Sequence, residues 1–271
     1  MAETPKLVSS MGRAELDKIF VRGYDLNEQL LGKISFAQMV YLMLEGRLPS
    51  AEEGRMIDSM LIVLVDHGMT TGAAAARMTF HSAPEAIQGA VAAAILGAGS
   101  VHLGSSEYCA KMLNDALPPI RRAPGGELVE PRDTKDTDLD AIAKNTVERR
   151  LANNQLIPGI GHGIHTGGDP RADRLFQVAQ ETKVYGRYCE LLKKIGKVGD
   201  EKVGKHLPVN VTGAIAAISM DMGFHWQMSK SFAILGRALG GLAHVGEEIR
   251  RPIARGISNL IRDNLQYVPE K

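Results

Sequence analysis

Little in this chain marks it for the cell surface, a membrane or a nucleic acid. Of its 271 residues two are cysteine, Cys109 and Cys189. They lie far apart and belong to no CxxC, which argues against a disulfide framework or a zinc site and for a reducing compartment. No charge excess exists either: 32 Lys and Arg face 31 Asp and Glu, a formal net charge of +1. No global field recruits nucleic acid or an anionic membrane, so any anion site has to be built locally. The longest apolar stretches, such as MLIVLV (60–65), fall far short of the roughly 20 residues that a membrane span needs. The N-terminal MAETPKLVSSMGRAELDK has no apolar leader core. The expectation is a soluble, cytoplasmic protein with no nucleic-acid or membrane partner. Convincing period-two strands, heptads, internal repeats and low-complexity tracts are also missing.

What is present is helical patterning throughout. Ser35 with Gln38, and Ser50 with Glu53, read as capping boxes ahead of apolar residues at helical spacing, Met56, Ile57, Met60, Leu61 and Leu64 in the second case. Gly68 is the expected stop of that second helix. TGAAAARM (71–78) and PEAIQGAVAAAILGAG (84–99) read as small-residue helices suited to close backbone approach, in a tight interior or a subunit interface. The Pro-, Gly- and charge-rich stretch 118–137 reads as a loop or linker. Helical patterns resume at 138–153, about 170–182, 184–195, 211–222, 226–243 and 256–264. The expected class is all-α, at a length that allows one large domain or two.

Histidines stand at three punctuated helix ends: His67 in DHG, His102 in GSVHLGSSE, and His162, with His165, in GIGHGIHTGGD. The GxG of the last stretch lacks the preceding strand of a dinucleotide loop. His162, His165 and Asp169 have metal-ligand chemistry but no rigid presentation and no outer partners, so no metal is expected. A third reading makes one histidine an acid or base that glycines hold close to a substrate. Taken singly, His102 also fits a satisfied loop histidine and His67 a helix C-cap. Asp169 and Pro170 read as N-cap and first residue of a helix, which puts Arg171 in its first turn, where a cation is unfavourable. The simplest reason for such a violation is an anion held jointly by that helix end and the guanidinium. Arg237 and His244, seven apart, share a helical face, and Arg250 and Arg251 precede Pro252, where that helix should end.

RGYDL (22–26), EGRLPS (45–50), DHG (66–68), GSVHLGSSE (99–107), GIGHGIHTGGDPRA (159–172), NVTGAIAAI (210–218) and GRALGGLAHVGEE (236–248) follow one another in an order that resembles the citrate synthase superfamily. The likeness is strongest to its short, single-chain citryl-CoA lyases and to the citryl-CoA lyase module of ATP-citrate lyase. The resemblance implies a citrate synthase-like fold, with a large helical domain from 1–105 and 221–271 and a small one from 106–220. It implies that His102 polarises a thioester carbonyl and that His162 meets the hydroxyl or carbonyl oxygen of a four-carbon acid. His67, Arg171 and Arg237 match residues that hold that acid, and Arg251 matches an arginine lent by the neighbouring subunit, hence a homodimer with shared active sites. No tightly bound cofactor is implied, only coenzyme A as part of the thioester substrate.

The physics agrees with such a set. A tricarboxylate needs several fixed cationic forks, and aldol-type cleavage needs a base at the tertiary hydroxyl and donors at the thioester oxygen; His162 and His102 suit those two roles. Three positions depart from the family pattern. Thr212 stands where the family has an aspartate that moves the methyl proton of acetyl-CoA. A threonine hydroxyl is no base near neutral pH, whereas cleavage needs only a proton delivered, which a water held by Thr212 can relay. Gly163 replaces an arginine and Leu103 a glycine, both near the acyl or CoA pocket. The expected function is cleavage of citryl-CoA, or a related 3-hydroxy-acyl-CoA, to acetyl-CoA and oxaloacetate or another 2-oxo acid. Its rivals are a citrate or 2-methylcitrate synthase and a CoA-thioester-binding pseudoenzyme without turnover.

Overall fold

The computed structural model describes residues 7–99, 104–122, 128–129 and 138–269. Local chemistry explains where most helices begin. Ser35 caps α1 (Phe36–Glu45) and Ser50 caps α2 (Ala51–Ile62), each through a reciprocal capping box with Gln38 or Glu53. Gly46, in a left-handed conformation, closes α1. The end of α2 differs from expectation: the helix stops at Ile62, six residues before Gly68. Leu64 and Val65 continue as tight turns pressed against a later helix, so packing across the molecule sets this end.

That later helix is α10 (Ser229–Arg250), which extends seven residues past the expected end at 243 and ends just before Pro252 as the sequence suggests. It packs with α3 (Thr71–Ser82) and α4 (Ile87–Leu96) around Ala76, Ala90, Ala94 and Val245. Side chains this small let backbones nearly touch. A Cβ on Gly240 would stand 2.0 Å from the Val65 carbonyl oxygen, so only glycine fits there.

The larger core is bulkier and joins α1 and α2 to α5 (Gly104–Ala116), α6 (Leu139–Ala152), α7 (Pro170–Glu181), α8 (Arg187–Val203), α9 (Val211–Asp221) and the start of α10. Tyr41, Met56, Ile57, Leu113, Leu192, Ile215 and Phe232 are wholly buried in it. Each such side chain contributes about 1.5–3 kcal/mol of transfer free energy. Helix α8 starts at Arg187, not 184, because its cap comes from elsewhere in the chain: Asp221, at the end of α9, accepts the N–H groups of Gly186, Tyr188 and Cys189.

The few strands are short: β1 (Gly12–Ala14), β2 (Ile19–Val21) and β3 (Tyr24–Asp25) form an antiparallel sheet that Arg22 ties to the end of α1 through the Met43 carbonyl. In the expected loop 118–137, Arg121–Arg122 and Leu128–Val129 pair as β4 and β5, and most of the rest lies outside the described residues. The chain closes with α11 (Ala254–Asn264). Among the described residues no helix is long and apolar enough to cross a membrane. The architecture is all-α.

Candidate active site

The loop before α7 is the centre of the site, and its shape follows from its glycines. At Gly159 the chain takes φ +81° and passes so near α9 that a Cβ on Gly213 would stand 2.5 Å from the Gly159 carbonyl oxygen. The residues just before α9 lock this loop in place. Asn210 N donates to Gly159 O at 3.0 Å, Gly161 N to Pro208 O at 2.7 Å, and the Asn210 side-chain amide to Gly161 O at 2.8 Å.

His162 follows this anchor. Its Nδ1 accepts the backbone N–H of Ile164 and of His165, each at 3.0 Å. A neutral imidazole has one acceptor nitrogen, so the proton is on Nε2. That nitrogen lies 3.2 Å from Arg171 Nη2, which is also a donor. Two donors cannot bond each other, so this contact is not a hydrogen bond, and Arg171 Nη2 donates instead to Asp169 Oδ2 at 3.0 Å. Burial first, and then His165 and Arg171, lower the His162 pKa against the opposing pull of Asp169, so the ring stays neutral.

Arg171 resolves the conflict in its helix differently from the simplest sequence reading. The anion beside it is the N-cap itself: Asp169 takes Arg171 Nε at 2.9 Å and Nη2 at 3.0 Å, together with the N–H groups of Arg171 and Val211. Burial pushes the Asp169 carboxyl up, but these donors outweigh it and hold the group below its ordinary range. The guanidinium's Nη1 makes no hydrogen bond among the described residues.

His67, in the turn after α2, meets this loop. Its ring centroid is 6.0 Å from that of His162 and 5.8 Å from that of His165, while His162 and His165 are 4.6 Å apart. His67 is exposed, and the partial desolvation of its ring, then Arg171 and Arg237, then the other two histidines lower its pKa. No described residue hydrogen-bonds its ring. A cleft of about 420 Å³ opens beside these groups, lined by His67, His162, Gly163, Arg237 and His244 over a floor of small residues from α3, α4 and α10. Arg237 is half-buried and makes no hydrogen bond or ion pair among the described residues. Among the described residues, Asp66 acts on it as the counter-charge. A desolvated cation without a partner is costly until an anion arrives. Gly163 has open space where a side chain would project.

Thr212, in the first turn of α9, has its hydroxyl engaged. It donates to Asn210 Oδ1 at 2.7 Å, so Ser105 must be the donor in the 2.7 Å contact between Ser105 and Thr212. No carboxylate is bonded to it among the described residues. His102 and Leu103 lie outside the described residues. Arg251 is exposed at the end of α10, away from the cleft lining. Sequence reasoning passed over Ser105, Asp66 and Arg77. Arg77 had a signal, as the one charge in an alanine-rich helix. Among the described residues no group of three or more His, Cys, Asp or Glu is placed to hold a metal.

Fold and site together define a helical protein whose cleft gathers histidines and the guanidinium of Arg237, unpaired among the described residues, beside the Arg171–Asp169 pair. The family model for the citrate synthase C-terminal domain matches residues 50–262, and the chain belongs to the citrate synthase family. A citryl-CoA lyase from Hydrogenobacter thermophilus is 31% identical, with a TM-score of 0.81 over 98% of this chain and 95% of that one. Citrate synthase from Synechocystis sp. is 27% identical over 245 residues, 88% of this chain and 56% of its own. The chain spans about half the length of the curated relatives it matches. An ATP citrate lyase from Methanosaeta concilii, solved with (3S)-citryl-CoA, shares the fold at 17% identity and a TM-score of 0.73, over 100% of this chain and 43% of that one.

Proposed function

We propose that this protein is a citryl-CoA lyase, cleaving citryl-CoA or a closely related 3-hydroxy-acyl-CoA to acetyl-CoA and a 2-oxo acid. The observation that carries this direction is Thr212, whose hydroxyl is donated to Asn210 and whose position holds no carboxylate. Condensation has to pull a proton off the acetyl methyl group, and among the described residues no carboxylate is bonded to Thr212 to do so. Cleavage runs the other way. The carbinol loses its hydroxyl proton, the carbon–carbon bond to the acetyl methylene breaks, and its electron pair becomes the thioester enolate. That enolate takes a proton at carbon, which a water donating its other hydrogen to Thr212 Oγ1 can supply.

The remaining groups take roles from their chemistry. Arg237 and the free face of Arg171 hold carboxylates of the acid, and His102 donates to the thioester oxygen. His162, protonated on Nε2, serves as the donor to the hydroxyl oxygen, in place of the base the sequence suggested. The base is then His67, whose ring is neutral, lacks a hydrogen-bond partner among the described residues and sits one ring away. Of the residues that line the cleft, His67 and Arg237 belong to the large domain we propose, 1–105 and 221–271, and His162 and Gly163 to the small one, 106–220. Exposed apolar side chains on α4, α10 and α11, among them Leu96 at 81%, Leu260 at 66% and Ile249 at 61%, support a homodimer. Arg251, exposed beside them, is our candidate for reaching the neighbour's cleft. An active monomer at micromolar concentration would remove that role.

A second reading, condensation to citrate, draws on the curated relatives named citrate synthase. Incubation with citryl-CoA, following oxaloacetate, acetyl-CoA and free CoA, separates the two. The lyase yields oxaloacetate and acetyl-CoA, and Thr212→Asp gains condensation by about 10²–10⁴-fold, the usual worth of a placed base. Wild-type condensation as fast as cleavage overturns the direction. Binding of CoA thioesters with neither reaction, in wild type or variant, leaves a pseudoenzyme.

A further inference from the structure

Three side chains without a task in this chemistry form one hydrogen-bonded line from the interior to the cleft. It begins at Arg77 on α3, 1% exposed and the largest of the fully buried side chains. Its Nη1 donates to Glu248 Oε2 at 3.0 Å, its Nη2 to Glu247, and its Nε to His244 Nδ1 at 3.1 Å. Arginine only donates, so His244 Nδ1 is an acceptor and His244 Nε2 carries the proton. That N–H points at Asp66 Oδ1, 3.0 Å away. Asp66 Oδ2 in turn accepts the N–H of Gly68, the residue next to His67, at 3.0 Å. The line ends on the backbone that carries His67.

Two facts separate this line from ordinary charge neutralisation. Glu247 and Glu248 already balance the buried guanidinium, so the bond from Arg77 to His244 is not needed for that purpose. The turn at residues 66–69 is exposed, so no apolar packing fixes it, and hydrogen bonds must do so. The inner end of the line is itself clamped. Glu248 Oε1 accepts the N–H groups of Ile253 and Ala254, each at 2.9 Å, and holds the corner between α10 and α11. Gly240 lets the backbone at Val65 come close enough to α10 for His244 to reach Asp66.

We infer that Arg77 and His244 are positioning residues for His67, acting through Asp66 to hold its ring against His162 and His165, where it meets the substrate hydroxyl. This rests on the reading of His67 as the base. His244 itself is no base, because both of its ring nitrogens are occupied. Freed from His244, the Asp66 carboxylate turns to solvent, and the His67 ring leaves its 23° stack on His165.

The test pairs His244→Leu with His244→Gln, whose amide presents both an acceptor to Arg77 and a donor to Asp66. His244→Leu should lower kcat by about 10- to 100-fold, the scale of a misplaced reacting group, and move the His67 ring signals in ¹⁵N-histidine spectra. His244→Gln should restore both. In a His67→Ala background, His244→Leu should cost nothing further in kcat. Asp66→Asn, at an exposed site, carries the same comparison if the leucine variant fails to fold. Unmoved His67 signals, or a loss that multiplies fully with His67→Ala, overturns the inference. A wild type without turnover refutes the lyase reading, while the ring signals still decide the positioning.

Discussion

Two arginines, Arg47 at the corner between α1 and α2 and Arg237 in the cleft, show how one residue type serves two ends. Arg47 is partly exposed but well partnered: it donates to both carboxylate oxygens of Glu53, to the Tyr41 hydroxyl and to the Leu48 carbonyl, and it lies over the Tyr41 ring. Those bonds outweigh the burial of Glu53 and bring its carboxyl down to about 2. Arg237 has no such partner among the described residues, and burial lowers the pKa of its guanidinium. The first cation is answered within the fold. The second is left for something that arrives, and the difference separates an arginine that stabilises from one that binds.

The largest effect should come from removing the unanswered cation. Arg237→Ala should weaken citrate or citryl-CoA binding by about 2–5 kcal/mol, the range for losing one partner of a desolvated charge pair. Its melting temperature should hold or rise slightly, since an unpaired half-buried charge is gone. Calorimetric titration and a thermal melt on the same sample decide it; retained affinity with lost stability would place Arg237 in the same class as Arg47.

Arg171 falls between the two, because it faces His162 yet is the partner of the buried Asp169. Arg171→Ala leaves that carboxylate with backbone donors only. It should lower stability by about 2–3 kcal/mol, somewhat less than the roughly 3–5 kcal/mol for breaking a fully buried pair, because the guanidinium is partly exposed. Urea titration measures this, and a rise in stability would show that Asp169 does not depend on Arg171.

The corner between α1 and α2 should show itself in acid. The Glu53 pKa is lower in the folded state than its ordinary 4.5, so its contribution is complete above about pH 4.5 and fades as pH falls toward 2. At about 1.36 kcal/mol per unit, and allowing for partial exposure, it amounts to at most about 2–3 kcal/mol. Glu53→Gln should therefore lower stability at pH 7 and flatten the loss between pH 5 and 3. An unchanged acid profile would remove Glu53 from the account.

The smallest effect sharpens the cleft side of the comparison. Desolvation and positive neighbours hold the pKa values of exposed His67 and partly buried His162 below the ordinary histidine value, so an arriving anion raises both and should draw in protons below neutral pH. Calorimetry in buffers of different ionisation enthalpy should detect a fraction of a proton taken up per citrate, and less in His67→Ala. Proton release would contradict the assigned charge states.

Several features could be read without the fold because their physics is local. The boxes at Ser35 and Ser50 place donor and acceptor within one turn of chain, as do Asp169 and Asn210 at the starts of α7 and α9. The order of the histidine turns, the DPRA block and the helix bearing Arg237 sufficed to indicate the family. The early end of α2 was hidden because it depends on α10. The late start of α8 was hidden because its cap, Asp221, lies 35 residues beyond Gly186.

By itself, then, the sequence determined an all-α chain and the main helix starts, because propensity, capping and spacing act over a few residues. Only the tertiary structure decided which guanidinium groups are already answered, on which nitrogen His162 carries its proton, and that His244 links buried Arg77 to the turn of His67. Those outcomes depend on donors and acceptors brought together from distant segments. A sequence names such groups, and their geometry exists only once the helices have packed.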